Sequence, residues 1–362
     1  MIILSKGASM HNPLKHIQKN LPPRTAALIE SSVNRRYFTG FVSSFGQLLV
    51  MQDHAVFLTD SRYIEAAQAA IKTCPVEETK AGRLRDLCKQ HGMKKLLLEG
   101  ETSLERARAL QESIPAVYFD LRAKRLDALI NHLRMRKSQA EIESITRAQR
   151  IAEAAFAHIL DKIAPGITER ELALELDYTM LRNGAEALSF ETIVVAGENG
   201  SKPHGVPGDR KLQRGDLITF DFGAVVDGYH SDMTRTIALG KPSEQQREIY
   251  ELVLAAQLAA LAAIKPGAAC KAVDAAARDV IKAAGHGEHF RHGTGHGVGL
   301  EIHEEPRLAP TSKDVLKPGM VVTVEPGVYL PGACGVRIED MVVITETGYE
   351  NLTKTTKERI EV

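Results

Sequence analysis

At 362 residues, with acidic and basic side chains balanced at 46 each, the chain is long enough for two domains and has no charge excess to draw it to nucleic acid or an anionic membrane. Its four cysteines, Cys74, Cys88, Cys270 and Cys334, lack any Cys-x-x-Cys spacing. That argues against zinc-knuckle and disulfide frameworks and predicts reduced, mostly buried thiols.

Residues 1–4 are too short an apolar run for a signal peptide, and no later stretch approaches a membrane span, so the expectation is a soluble cytoplasmic protein. The first third alternates in type. Residues 47–59 (QLLVMQDHAVFLT) and 95–99 read as strands, residues 61–72 and 104–113 as helices, which predicts a small α/β domain over residues 1–133. Its DSRY at 60–63 reads as a helix start. With no metal-ligand cluster or phosphate loop of its own, this third is expected to be a scaffold or lid.

A basic stretch at 134–138 (RMRKS) opens the second domain, residues 134–362. Ser138-x-x-Glu141 is a capping box, in which serine hydroxyl and glutamate satisfy each other's free backbone N–H groups. The helix it starts carries Ile142, Ile145, Ala152, Phe156, Ile159 and Ile163 and stops at Pro165-Gly166; Thr168-x-x-Glu171 starts another, which stops near Asn183-Gly184. Ser243-x-x-Gln246 and the Ala-rich run ending at Gly285 repeat the design, with the same separation from Pro266-Gly267 to Gly285 as from Pro165-Gly166 to Gly184. Strand-like segments follow each helix pair. The pattern predicts an α+β domain made by duplicating a helix-pair-plus-sheet unit.

The chemistry concentrates in the strand-like segments. In TFDFGAVVDGYHSDMTRT (219–236), Asp221 and Asp232 flank Asp227-Gly228, a dipeptide suited to the positive φ angles of a tight hairpin. Side-chain alternation leaves the two carboxylates on one face, where their like charges need compensation. In RHGTGHGVGLEIHEE (291–305), His292 and His296 have helical spacing, but the interleaved glycines predict an extended segment, so at most one or two of His292, His296 and His303 reach any one ion. Glu325 ends the run 320–324 just before Pro326-Gly327. Glu339 lies in the run 335–344 (GVRIEDMVVI), and Arg337, two residues earlier on the same predicted face, is read as orienting the carboxylates. Four carboxylates and a histidine beside apolar strands are hard to bury without cations. Two divalent ions resolve the charge, and oxygen-rich coordination with one imidazole suits Mn²⁺, Co²⁺, Fe²⁺ or Zn²⁺.

In this order and spacing, Asp221 and Asp232, His296 in HGTGHGVGLEIHE, Glu325 in TVEPG and Glu339 in GVRIED resemble the metal centre of the pita-bread metallopeptidases, a likeness that runs from about residue 138 to the end. YFTGF at 37–41 and DSRY resemble the accessory domain of the Xaa-Pro peptidase branch, which includes aminopeptidase P and prolidase. The resemblance implies a pita-bread catalytic domain preceded by a smaller creatinase-like α/β domain. It implies two divalent ions per chain, Mn²⁺ first. Asp221 would serve mainly one ion, Asp232 and Glu339 would bridge both, and His296 with Glu325 would complete the other. Glu325 would also accept and return the proton in catalysis. His204 in KPHG, His292 and His303 would border the substrate cleft, with His204 or His303 on the developing oxyanion. Arg337 in GVRIED would orient the carboxylates or receive part of the substrate.

The implied reaction is that of an Xaa-Pro aminopeptidase on peptides with proline at the second position, with a homodimer as the expected assembly. The nearest alternative is an Xaa-Pro dipeptidase, followed by a methionine aminopeptidase. A glycosidase would need neither the histidines nor five clustered ligands. Creatinases and a non-catalytic peptide-binding relative would have lost ligands that this chain keeps.

Overall fold

The computed structural model describes residues 12–120 and 124–362, so the run at 1–4 lies outside the described residues. The chain separates into two units between Leu133 and Arg134.

In the first unit β1 (Thr25–Ile29), β2 (Gln47–Val50), β3 (Ala55–Thr59), β4 (Val76–Glu78), β5 (Lys95–Leu98) and β6 (Tyr118–Asp120) form one mixed sheet, ordered β4-β3-β2-β1-β5-β6. The helices are α1 (Pro13–Asn20), α2 (Ser32–Thr39), α3 (Ile64–Ala70), α4 (Arg83–Gln90), α5 (Leu104–Ser113) and α6 (Lys124–Arg134). Alternate strand residues face opposite helix layers: Ala27 and Ile29 pack with α1, α2, α3 and α6, whereas Ala26 and Leu28 pack with α4 and α5. Burial on both faces explains why β1 is apolar from Ala26 to Ile29, with no polar alternation. The run 47–59 is not one strand. It folds back at Gln52-Asp53, where Met51 N–H donates to the His54 carbonyl, and becomes the β2-β3 hairpin.

The second unit repeats a helix pair and a sheet. Its helices are α7 (Gln139–Leu160), α8 (Glu169–Arg182), α9 (Glu244–Ala263) and α10 (Cys270–Ala283). The three capping boxes at Ser138, Thr168 and Ser243 all form. The strands of the first repeat are β7 (Ala187–Leu188), β8 (Ile193–Ala196), β9 (Leu217–Phe222), β10 (Ala224–Val226), β11 (Tyr229–His230) and β12 (Met233–Ala238). They make the sheets β12-β9-β8 and β11-β10-β7. Those of the second are β13 (Gly295–Gly297), β14 (Glu304–Leu308), β15 (Val321–Val324), β16 (Gly327–Leu330), β17 (Cys334–Arg337), β18 (Asp340–Ile344) and β19 (Tyr349–Asn351). They make the sheet β14-β13-β15-β18-β19 and the hairpin β16-β17. Every strand pairing in this unit is antiparallel.

Strand alternation then decides which side chains become available for chemistry. On β9, Phe220 and Phe222 turn to the helices and pack on Phe156 of α7, Phe220 edge-on and Phe222 stacked, with ring centroids 5.7 and 5.8 Å away. Asp221, between them, must point the other way. On β15, Val322 and Val324 join the core of α9 and α10, which puts Thr323 on the opposite face.

Two readings of the strands need correction. Asp227 and Gly228 do form a tight turn, with φ of 51° and 76°, but the β10-β11 hairpin around them peels away to pair with β7. β9 instead pairs directly with β12, Asp221 opposite Thr234. The run 335–344 also breaks, because Ile338 and Glu339 lie between β17 and β18 in different sheets. Arg337 and Glu339 therefore do not share one strand face.

Candidate metal centre

Asp232 immediately precedes β12 and is two residues from Thr234, which stands opposite Asp221. The two carboxylates thus come to one face by alternation, across the direct β9-β12 pairing. His296 sits in the middle of β13, where Gly295 is required: a Cβ there would meet the Thr323 carbonyl oxygen at 2.0 Å. This close approach brings the His296 backbone N–H to Thr323 Oγ1 at 3.1 Å, and the same hydroxyl reaches Glu325 Oε1 at 3.1 Å.

The His296 ring is oriented by its own backbone. Nδ1 lies 3.0 Å from the Gly297 carbonyl, which can only accept, so Nδ1 carries a proton and Nε2 is turned to the carboxylates. Nε2 is 3.3 Å from Glu325 Oε1 and 3.5 Å from Asp232 Oδ2. Asp232, His296 and Glu339 each offer a ligand atom within 4.8 Å of the others. Asp221 stands at the edge of this group, with Oδ2 accepting from Arg337 Nη2 at 2.5 Å.

Burial and like charge make the site costly without cations. Asp232 and Glu339 are 4% and 1% exposed. Burial first, then the neighbouring Glu339, Asp221 and Glu325 charges, push Asp232 well above the ordinary carboxylate range. Burial, then Glu325 and Asp221, do the same to Glu339, and burial raises Asp221 more modestly. Glu325 goes the opposite way: burial opposes it, but the His296 hydrogen bond and the His296, His292 and Arg337 charges take it down to about 2.

Two further atoms test whether cations fit. Asp221 Oδ1 and Glu339 Oε1 are buried and accept no hydrogen bond, which costs roughly 1–3 kcal/mol for each group. Unused oxygens among four carboxylates and one inward-facing imidazole nitrogen match the coordination needs of hard to borderline divalent ions. The residues fit.

Arg337 organises the surroundings. It is 4% exposed, and besides Asp221 it donates to Thr234 Oγ1 at 3.0 Å, Tyr329 Oη at 2.8 Å and the Pro203 carbonyl at 3.1 Å. Thr234 in turn donates to Glu339 Oε2 at 2.7 Å. Burial works against the charge on Arg337, and the surrounding Tyr329, Asp221 and Glu325 outweigh it. The predicted orienting contact thus reaches Asp221 directly and Glu339 through Thr234.

The centre opens into a cavity of about 690 Å³ that is also lined by His204, His292, His303 and Arg337. His292 Nε2 is 3.0 Å from Tyr329 Oη, and burial keeps this histidine below its ordinary value. The His303 ring lies 4.4 Å from that of His296, and burial with the His296 and Arg307 charges pushes it down to about 4. His303 is therefore a neutral hydrogen-bonding group at pH 7. His204 lies on the wall, exposed, on the segment before Gly205.

Sequence reading missed Thr234, Thr323, Tyr329 and Arg307. The first two carried a signal, since each is two residues from a candidate ligand, Asp232 or Glu325, and so shares its face. Tyr329 arrives on the β16-β17 hairpin from a separate sheet, which no local pattern announces. Arg307 also lines the cavity and stands opposite His296 across the β13-β14 pairing.

The family description "Metallopeptidase family M24" matches residues 143–346, which hold all five candidate ligands. The chain belongs to metallopeptidase family M24. The "Creatinase/Prolidase N-terminal domain" matches residues 24–136 of this M24 peptidase. It is 42% identical over 331 residues to the Xaa-Pro dipeptidase of Pyrococcus furiosus, covering 91% of this chain and 93% of that one. Among solved structures it resembles the Xaa-Pro dipeptidase from Bacillus anthracis, with a TM-score of 0.92, 39% identity and coverage of 97% and 99%. It also resembles the X-Pro aminopeptidase from Thermotoga maritima, with a TM-score of 0.88, 36% identity and coverage of 96% and 100%.

The expected creatinase-like α/β domain and pita-bread catalytic domain are therefore borne out, and the protein is a metal-dependent peptide hydrolase. Among the described residues no helix is long and apolar enough to cross a membrane.

Proposed function

We propose that this M24 peptidase hydrolyses the bond between an N-terminal residue and a following proline, as an Xaa-Pro aminopeptidase. The observation that carries the metallopeptidase reading to these residues is the buried cluster of Asp232, His296 and Glu339, with Glu325 3.3 Å from the His296 nitrogen. Asp221, Asp232, His296, Glu325 and Glu339 would hold two divalent ions, Mn²⁺ first and Co²⁺, Zn²⁺ or Fe²⁺ on the same donor set. When bound, such a pair supplies Lewis acidity and a nucleophilic water at neutral pH.

The chain's own groups do the rest. Glu325 takes the proton released on attack at the scissile carbonyl and returns it to the leaving nitrogen. His303, neutral at pH 7, and His204 on the same wall are placed to hydrogen-bond the developing oxyanion. His292, braced by Tyr329, borders the substrate, and Arg337 keeps Asp221 aimed. The balanced charge and free thiols fit a cytoplasmic enzyme, and the homodimer is carried over from the family resemblance.

Room beyond two residues supports the aminopeptidase, since the cavity of about 690 Å³ extends to the exposed Val206 and His204. A specific observation favours a second reading, the Xaa-Pro dipeptidase. Arg307 lines the cavity beside His296 and makes no ion pair among the described residues, so it could take the free carboxylate of a terminal proline. The Pyrococcus and Bacillus anthracis relatives carry the dipeptidase name.

Paired substrates, Xaa-Pro and Xaa-Pro-Xaa, with native and Arg307→Leu protein separate the two. The aminopeptidase cleaves the tripeptide before proline with little change on Arg307→Leu. The dipeptidase cleaves Xaa-Pro alone, and Arg307→Leu raises its KM by about tenfold or more, the loss of one charge-assisted contact. Cleavage of neither substrate contradicts the proposal.

A further inference from the structure

Glu169, the first residue of α8, is 0% exposed and lies outside the metal centre. Its carboxylate is spent entirely on one cavity-lining segment. Oε1 accepts from the Ala196 backbone N–H at 2.8 Å and Asn199 Nδ2 at 3.1 Å, while Oε2 accepts from the Gly208 N–H at 3.0 Å and Asn199 Nδ2 at 3.2 Å. The group thus ties the end of β8 to Gly208 and closes the chain between them. Backbone bonds from Glu169 N–H to Arg210 O and from Arg170 N–H to Gly208 O run alongside.

The closed segment supplies Pro203, His204, Gly205, Val206 and Pro207 to the cavity wall. His204 itself makes no hydrogen bond among the described residues, so its ring is placed by the backbone that carries it. On the other side of the same segment, the Pro203 carbonyl accepts from Arg337 Nη1 at 3.1 Å. The two ends of the segment are therefore held by Glu169, and its middle by the metal-site arginine.

We propose that Glu169 is a positioning residue for the peptidase reaction, stapling residues 196–208 so that His204 stands over the reacting carbonyl. The inference rests on the role of His204 in the proposed function. A glutamine at 169 keeps the shape but turns one acceptor into a donor facing the Ala196 or Gly208 N–H, which opens the staple without touching a metal ligand.

The test is a double-mutant cycle with Glu169→Gln and His204→Ala, each protein loaded with the same ion and assayed for metal content, kcat and KM. Glu169→Gln is expected to keep its metal and lose on the order of 10- to 100-fold in kcat/KM, as displaced positioning groups do. In the His204→Ala background it should cost less than about twofold further, because both changes remove one contribution. An undiminished loss in that background, or loss of metal by Glu169→Gln, overturns the proposal. His204→Ala with unchanged kcat and KM overturns it too, but through the role of His204, so the two failures are told apart. Should Glu169→Gln not fold, Asn199→Ala removes the segment's side-chain donor from the half-buried end of the staple, and must show the same non-additive pattern at smaller amplitude.

Discussion

Asp232→Ala is expected to lower kcat/KM by at least about a thousandfold, the scale of losing electrostatic stabilisation at the reacting centre, and to reduce bound metal below the native content. The native fold should persist, because the Asp232 side chain lies on the face opposite the helix-packed core that Met233 joins. The metal-free proteins should differ with an opposite sign. Asp232 has a folded-state pKa well above its ordinary 3.8, so its contribution to stability is present below pH about 4 and lost as pH rises through the raised value. Stripped native protein should therefore lose melting temperature across that window more steeply than stripped Asp232→Ala. Metal analysis together with melting curves at several pH values checks both parts. Full metal content in Asp232→Ala would remove this carboxylate from the centre.

Arg337→Met should be the most destabilising single change at the site. It removes the guanidinium bonded to Asp221 and leaves Tyr329 Oη, Thr234 Oγ1 and the Pro203 carbonyl without that donor. Breaking a buried ion pair by deleting one partner costs about 3–5 kcal/mol, visible as a lower denaturant midpoint in the metal-free protein. Lysine keeps the charge but lacks the planar fork that reaches several acceptors at once, so Arg337→Lys should fall between native and methionine. Equal stability for all three would mean that Arg337 does not hold the carboxylates.

Helix starts were the most legible part of the fold, because capping boxes are local chemistry, whereas α7 stops at Leu160, short of Ile163 and of the Pro165-Gly166 expected to end it. Ser138, Thr168 and Ser243 cap α7, α8 and α9, and the glycines at 166, 184, 267 and 285 all have positive φ. The repeated helix pair followed from those signals. Strand partners were less legible: alternation correctly put Asp221 and Asp232 on one face, but nothing local showed that the Asp227-Gly228 hairpin would leave for another sheet. The break at Ile338-Glu339 was hidden by apolar residues on either side. Arg337 was read as orienting carboxylates, yet the contact runs to Asp221, more than a hundred residues away in sequence. Groups that reach the centre from other sheets, such as Tyr329 and Arg307, have no periodic signature of their own. The Glu169 staple is of the same kind, since its partners lie at the end of β8 and on the segment after it.

The most direct test is a metal titration of chelator-stripped protein, following hydrolysis of Xaa-Pro and Xaa-Pro-Xaa as Mn²⁺ is added in measured equivalents. The five-ligand centre predicts no cleavage of either substrate in stripped protein and a return of activity that is complete only at two ions per chain. Full activity in the stripped protein, or saturation at a single ion, would contradict it.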